Sequence, residues 1–540
     1  MDADFVIVGG GTAGCVLANR LSADSRLEVV VVEAGEEATS PWIAMPAGAA
    51  KLFHHPRLNW RYRTEPEEAL GGRRLYWPRG KVLGGTSSIN GMTFVRGQAA
   101  DYDSWAGLTE GAWSWRTVLP YFKRIEDSAF GTSELRGAGG PMKIDTILNR
   151  HPLSEAFLQS SIAAGVARND DYNGATQDGI SYSQVMMRNG VRSSAASAYL
   201  APVRGRSNLR VLTRSLVRRI LVDQGRAVGV ELERDRGIET IRARREVLLC
   251  GGTVASPQIL LLSGIGDARA LHALGIPLSN DLPAVGRKLQ EHLRVTLVYR
   301  TSVPSFNREA RGARLLGHIA RYALRRQGLL AVTASQVNGF VRSSPQVDRP
   351  DLQLVFRPSS GDYAEGRYVV HDYQGVTAMV GLLRPKSRGH VALRSADPRE
   401  APAIVVGHLN DAADYEPLIR GVALLRGIVA TPPLSDYIQD EVRPGRNVAD
   451  DASLREYIRD SADSLYHAVG TCAMGSSTDC VTTPELCVRG IAGLRVVDAS
   501  VMPRVPSGNT TAAVLMIAER ASDLILGRDS LPRGEATASA

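Results

Sequence analysis

Cysteine is scarce in this sequence, with five residues among 540, and the number is odd. Cys15, Cys250, Cys472, Cys480 and Cys487 show no paired metal-ligand spacing, which speaks against a disulfide framework or a metal site and for buried thiols in a reducing compartment. No run of roughly eighteen apolar residues occurs, so nothing reads as a membrane-spanning helix. Aromatic residues make up only 6% of the chain and do not interleave with basic ones. The net charge of +8 therefore comes without a nucleic-acid platform, and no nucleic-acid partner is expected. Internal repeats and low-complexity blocks are missing as well. Met1-Asp2-Ala3 leads directly into the first apolar run, leaving no room for a signal peptide and setting the expectation of a cytoplasmic protein. The composition, 44% hydrophobic and 22% charged, is that of an ordinary globular protein, and the chain is too long for one core, so two closely joined domains are expected.

What is present begins with glycine. Residues 4–8 form a short apolar run that ends at Gly9-Gly10-Gly11-Thr12-Ala13-Gly14, residues 12–21 carry apolar side chains at helical spacing, and residues 27–32 are a second β-branched run closing on Glu33. Strand, tight turn, helix and strand in this order make a dinucleotide-binding unit. Gly9 permits the turn, Gly11 lets backbone approach a pyrophosphate, Gly14 allows close packing of helix on strand, and the helix N-terminus offers amides to the anion. Glu33, nineteen residues after Gly14, is placed for a ribose hydroxyl pair.

Two further glycine-bearing runs follow at 79–90 and 252–266. Between them, strands are predicted at 209–213, 216–222, 228–233, 238–243 and 247–250, a meander returning to the nucleotide-binding sheet. Strands at 335–341, 351–356 and 376–383 would build the sheet of a second domain. Residues 494–498 read as a strand, and 510–526 as a long helix capped by Asn509, its positive end suited to developing negative charge. Arg311, Arg314, His318, Arg321 and Arg325 recur at steps of three and four, with Leu316, Ile319, Ala320 and Ala323 on the opposite side. This basic helix, 308–326, suits either a solvated face or peripheral contact with an anionic membrane. Residues 531–540 read as a disordered tail.

Residues 79–105 (RGKVLGGTSSINGMTFVRGQAADYDSW), 252–266 (GTVASPQILLLSGIG), 467–475 and 498–511 resemble the glucose-methanol-choline (GMC) oxidoreductase family, and the similarity covers essentially the whole chain. Within it, bacterial FAD-dependent alcohol and choline dehydrogenases are the most similar. The resemblance implies an α/β fold: a Rossmann-like FAD-binding domain (1–150, 190–290 and 465–530) interleaved with an α+β substrate domain (151–189 and 291–464) on a largely antiparallel sheet. It implies that Gly9, Gly11, Thr12, Ala13 and Gly14 hold the FAD pyrophosphate and Glu33 the adenosine ribose. Val82, Gly84, Asn90, Met92 and Thr93 would line the flavin, Val217 would meet adenine through its backbone, Asp498 and Ala499 would touch the ribityl-phosphate region, and Asn509 with Thr510 would bring helix amides to the ring. Some members carry the flavin covalently on a histidine in the Ser-Ser-x-Asn segment; here that position is Ile89, so noncovalent FAD is expected.

Tyr466-His467-Ala468-Val469-Gly470-Thr471 resembles the family's catalytic segment. His467 is thus expected to take the hydroxyl proton of a primary alcohol while hydride passes to flavin N5, because an imidazole titrates near working pH. Asn509 matches a second active-site position and can hydrogen-bond the alcohol oxygen but not act as base. The other nine histidines, His54, His55, His292 and His390 among them, are read as structural, and Cys472 lacks an activating base. An uncharged primary alcohol oxidised to an aldehyde, with electrons passing to a quinone, a dye or another acceptor, is the leading expectation. An oxidase making hydrogen peroxide from oxygen, a choline dehydrogenase and a flavin-containing hydroxynitrile lyase stand beside it.

Overall fold

The computed structural model describes residues 1–528 except 236, 334, 365 and 366; the tail expected at 531–540 lies outside the described residues. The valine-rich strand Val29–Val32 pairs parallel with Asp2–Val8 on one side and with Leu209–Leu212 on the other. Both Val29–Val32 and all but the first residue of Asp2–Val8 are buried, the pattern of parallel strands covered on two faces. Asp2–Val8 also pairs parallel with Gly237–Leu249, whose last residues pair parallel with Leu494–Val496. Arg226–Arg234 and Leu216–Asp223 extend this sheet as an antiparallel meander.

The two strands expected at 238–243 and 247–250 are one. The charged stretch Arg244-Arg245-Glu246 breaks the apolar alternation and so reads as a turn, but the ladder continues through it with a register step between Ala3 and Phe5. Arg244 and Arg245 reach the Asp4 carboxylate at 3.1 and 3.6 Å, so their charge is satisfied without a turn.

The first and last helices pack side by side over this sheet. Glu519 of Thr511–Ile525 is fully buried there, 2.7 Å from Arg20, 2.6 Å from Arg124 and 2.9 Å from the Tyr199 hydroxyl. A buried carboxylate with two cations and a hydroxyl donor ties segments from the two ends of the chain together.

A second sheet is antiparallel, in the order Ile438–Arg443, Leu293–Thr301, Gly375–Leu382, Leu352–Arg357, Val337–Val341 and Gly179–Tyr182, with Asp463–Ser464 beside Leu293–Thr301. Helix Tyr415–Val429 covers one face so closely that a Cβ on Gly421 would come within 2.5 Å of Val380 Cγ2. Phe157, on helix Pro152–Ala163, stacks on Phe356 of the same face with ring centroids 4.3 Å apart. Strand alternation then turns Gln353, Val355, Arg357 and Met379 to the opposite face, where they line a cavity.

Candidate active site

The two glycine-rich runs near the N-terminus lie directly on each other. Gly9 has φ of +102°, and a side chain there would strike the Cys250 carbonyl oxygen at 2.6 Å. The Gly84 amide donates to the Gly10 carbonyl at 2.7 Å, and a Cβ on Gly85 would come within 2.8 Å of Gly11 Cα. Only bare backbones allow such an approach. Gly14 serves packing, since its Cβ would overlap the Gly9 carbonyl oxygen at 2.0 Å.

Helix Thr12–Leu21 starts beside this junction without a side-chain cap or an acidic residue in its first turn. Its end opens on a cavity of about 380 Å³ lined by Gly9, Gly11, Thr12, Ala13, Glu33 and Val217, and farther on by Asp498, Ala499 and Thr510. Glu33 accepts hydrogen bonds from the Gly10 and Gly35 amides, both 2.8 Å, and burial raises its pKa to about 7. Asp498 accepts from the Gly252 amide at 2.8 Å, the Ser256 hydroxyl at 2.5 Å and the Ser500 amide at 2.8 Å. Val82 and Gly84 line neither this cavity nor the next; Val82 is buried in an apolar cluster with Ile43, Leu52, Leu58 and Ile89.

A second cavity, about 360 Å³, adjoins the first, and Thr86, Tyr466, Thr510 and Thr511 line both. Asn90, Met92 and Thr93 line its wall together with His467 and Asn509. Met92 and Tyr466, neither of them glycine, both hold φ of +67°, a conformation that costs of order 1–3 kcal/mol and gathers at functional sites.

His467 and Asn509 meet here, the Asn509 amide nitrogen lying 2.8 Å from His467 Nε2. That contact corrects the expected helix cap. The cap residue of Thr511–Ile525 is Thr510, which makes no side-chain cap bond, because the Asn509 side chain is turned to His467 and to Gln353, whose amide reaches Asn509 Oδ1 at 3.4 Å. The helix amides are left open toward the junction of the cavities.

His292 completes the arrangement and was not expected in it. Its Nε2 lies 2.9 Å from the Leu383 carbonyl, an acceptor only, so Nε2 carries the proton. Full burial lowers its pKa to about 4, so the ring is neutral and Nδ1 bears a lone pair. His467 Nδ1, 3.0 Å away, must then donate to it. This leaves His467 Nε2 with its lone pair facing the Asn509 amide and the cavity. Burial, followed by the nearby His292, Arg79 and Arg294, holds the His467 pKa well below 6.5 and keeps the ring neutral.

Glu291 is buried beneath this pair. It accepts the His467 amide at 2.5 Å, stands 3.8 Å from Arg79, and burial raises its pKa to about 7. No local pattern in the sequence marks Glu291 or His292; strand Leu293–Thr301 carries them to a segment 175 residues away. Cys472 is wholly buried, and burial pushes its thiol far above the ordinary range, which removes it as a nucleophile.

Comparison with known proteins identifies the family. Family models of the GMC oxidoreductases match residues 3–294 and 385–518. The chain belongs to the GMC oxidoreductase family. It is 40% identical to the alcohol dehydrogenase [acceptor] of Pseudomonas putida, over 97% of this chain and 95% of that protein. Identity is also 40% to the oxygen-dependent choline dehydrogenase of Brucella ovis, over 99% and 97%. A structure of the formate oxidase of Aspergillus oryzae, solved to follow modification of its FAD, superimposes with a TM-score of 0.91 at 25% identity, covering 97% of this chain and 98% of that one.

As a GMC oxidoreductase the protein is an FAD-dependent enzyme with the fold anticipated for it, and its first cavity fits the cofactor. The GMC dinucleotide turn brings uncapped helix amides to one end, where a pyrophosphate is stabilised, with the Glu33 carboxylate beside them for hydroxyl donors. At the other end the uncapped helix Thr511–Ile525 presents its positive terminus next to His467.

Proposed function

We propose that this GMC oxidoreductase converts an uncharged primary alcohol to the aldehyde, holds FAD noncovalently and passes electrons to a quinone or similar acceptor. Gly9, Gly11, Thr12 and Ala13 would hold the pyrophosphate, with Gly14 keeping their turn tight; Glu33 would hold the adenosine ribose and Val217 the adenine. Asp498, Ala499 and Thr510 would hold the ribityl end, and Asn90, Met92 and Thr93 would border the flavin. FAD, when bound, supplies the hydride acceptor.

The observation that carries the reading is the His467 Nε2 lone pair, held toward the second cavity by a fixed tautomer. An entering hydroxyl would replace the Asn509 amide as donor to Nε2, and His467 would take its proton there. The Asn509 Nδ2–H would then turn to the alcohol oxygen and hold the reacting carbon in place. His467 Nδ1–H keeps its acceptor on His292 throughout, so the imidazolium formed remains hydrogen-bonded on that side.

The cavity wall favours an uncharged substrate. No Asp or Glu lines it among the described residues, whereas Arg294 and Arg357 do, beside Phe53, Phe306, Leu329, Val332 and Leu465. Choline would find aromatic rings but also the Arg357 guanidinium and that of Arg294, the latter paired with Asp463 at 2.7 Å, and no carboxylate among the described residues of the wall. Noncovalent flavin is supported by Ile89, buried and apolar at the edge of this cavity, and by His467 being the one histidine lining either cavity among the described residues. The division into an FAD unit (1–150, 190–290 and 465–530) and a substrate unit (151–189 and 291–464) places each of the two large sheets in one unit.

A panel of medium-chain and aromatic primary alcohols with a dye acceptor, choline alongside, tests the reading. The best neutral alcohol is expected to exceed choline in kcat/KM by at least about a hundredfold, the scale of a like-charge mismatch in a poorly solvated cavity. Choline turning over as well as the best alcohol would overturn the substrate class. Peroxide formed in air at the dye-coupled rate would mark an oxidase instead, and a flavin that no alcohol bleaches without oxygen would mark a lyase.

A further inference from the structure

Helix Gly312–Arg325 is mounted with its apolar side outward. Tyr322 anchors it, buried and donating its hydroxyl to the Gly190 carbonyl at 3.0 Å. His318 accepts the Leu329 amide on Nδ1 at 3.2 Å and faces the Glu309 carboxylate through Nε2 at 3.0 Å. The Arg311 guanidinium donates to the Val370 and His371 carbonyls, both 2.9 Å. The side that holds the helix to the body is thus the polar one. A helix that merely presented a solvated basic face would bury its apolar residues, but Leu316 is 68% exposed, Ile319 47% and Leu324 83%.

At about 100° per residue these leucines and Ile319 share one stripe with Ala313, Ala320 and Ala323, all exposed. Arg321 borders this stripe, about 60° round the helix from Leu324, with Arg314 and Arg325 behind it; all three are exposed and form no ion pair with described residues. Residues 310–328 contain no Asp or Glu. Val369, half exposed, sits on the adjoining hairpin that Arg311 holds.

We infer that this stripe docks onto an anionic lipid bilayer, the leucines and Ile319 entering the headgroup boundary and the arginines meeting lipid phosphates. Charge decides the occupant. A second copy meeting the same helix would bring a second set of arginines to it, with no acid in residues 310–328 of either copy to answer them. An anionic membrane complements both the apolar stripe and its basic border. The helix also adjoins the reaction site: Ala310 and Leu329, just before and just after it, line the cavity that holds His467. Docking would set that cavity beside the lipid phase, where apolar alcohols and quinones concentrate. The inference does not depend on which alcohol is oxidised.

Co-sedimentation of the FAD-loaded, full-length enzyme with phosphatidylcholine vesicles, with and without phosphatidylglycerol, tests it. Binding is expected to need phosphatidylglycerol and to weaken with salt. L316E/L324E and, separately, R314E/R321E are each expected to lower vesicle affinity at least about tenfold, while keeping the flavin spectrum and dye-coupled turnover of a short, water-soluble alcohol. Absent binding to phosphatidylglycerol vesicles, or equal binding by the wild type and both variants, would overturn the proposal. A wild-type dimer that L316E/L324E converts to monomer would also overturn it, in favour of a second copy on this face.

Discussion

Replacing His292 with leucine isolates the step that makes His467 a base. His292 is fully buried, packs edge-on against the His467 ring and hydrogen-bonds it through Nδ1, at 3.0 Å. Leucine fills similar space but accepts nothing, so the His467 Nδ1–H is left in a dry site without a partner, at a cost of about 1–3 kcal/mol. The ring escapes that cost by moving its proton to Nε2, where the Asn509 amide can rotate and present its oxygen. The nitrogen facing the cavity then carries a proton and cannot take another. At 1.4 kcal/mol per tenfold, the competent tautomer falls by about 5- to 150-fold, and the limiting rate of flavin reduction by alcohol falls with it. Anaerobic stopped-flow spectrophotometry measures that rate directly, with FAD content and thermal midpoint as controls. Glutamine at 292 can accept from His467 through its oxygen and donate to the Leu383 carbonyl through its nitrogen, so H292Q is expected to recover most of the loss. Near wild-type reduction by a flavin-loaded H292L would refute the tautomer argument. Equal slowing by leucine and glutamine would reduce His292 to a matter of packing.

Other consequences are as direct. His467→Ala should keep its yellow FAD yet slow flavin reduction at least about a hundredfold, the scale of a positioned base, whereas Asn509→Ala should lose less and raise KM; equal losses would mean the roles are wrongly divided. Because the His467 pKa is lowered from 6.5, the neutral form persists as pH falls past that value. The acid limb of kcat/KM should therefore lie below pH 6.5, with a flat profile above it; a limb centred above 6.5 would contradict the burial of the ring. Glu519→Gln removes the charge that Arg20 and Arg124 share, and since both arginines are about a quarter exposed and can rehydrate, a loss of about 2–3 kcal/mol in urea unfolding is expected. An unchanged midpoint would show that the cluster adds nothing net.

Much of the fold was legible because its signals are local. The turn at Gly9–Gly14, the helix behind it and Glu33 are one short supersecondary unit, and the valine run at 29–32 carries its burial in its own composition. The strands at 337–341, 352–357 and 375–382 fall within two residues of where alternation put them. The unbroken strand Gly237–Leu249 was not legible, since its charged middle is satisfied by Asp4, far away in the chain.

The sequence by itself determined the nucleotide-binding turn, the family and the candidacy of His467, each written in contiguous residues whose chemistry needs no distant partner. Tertiary structure alone decided that His292 orients His467, that Asn509 faces this base instead of capping a helix, that no carboxylate among the described residues lines the second cavity, and that the stripe around Leu316 faces outward. Periodicity tells which side chains share a face but not whether that face meets protein or solvent. Sheet register, in turn, decides which residues from distant segments come within hydrogen-bonding reach.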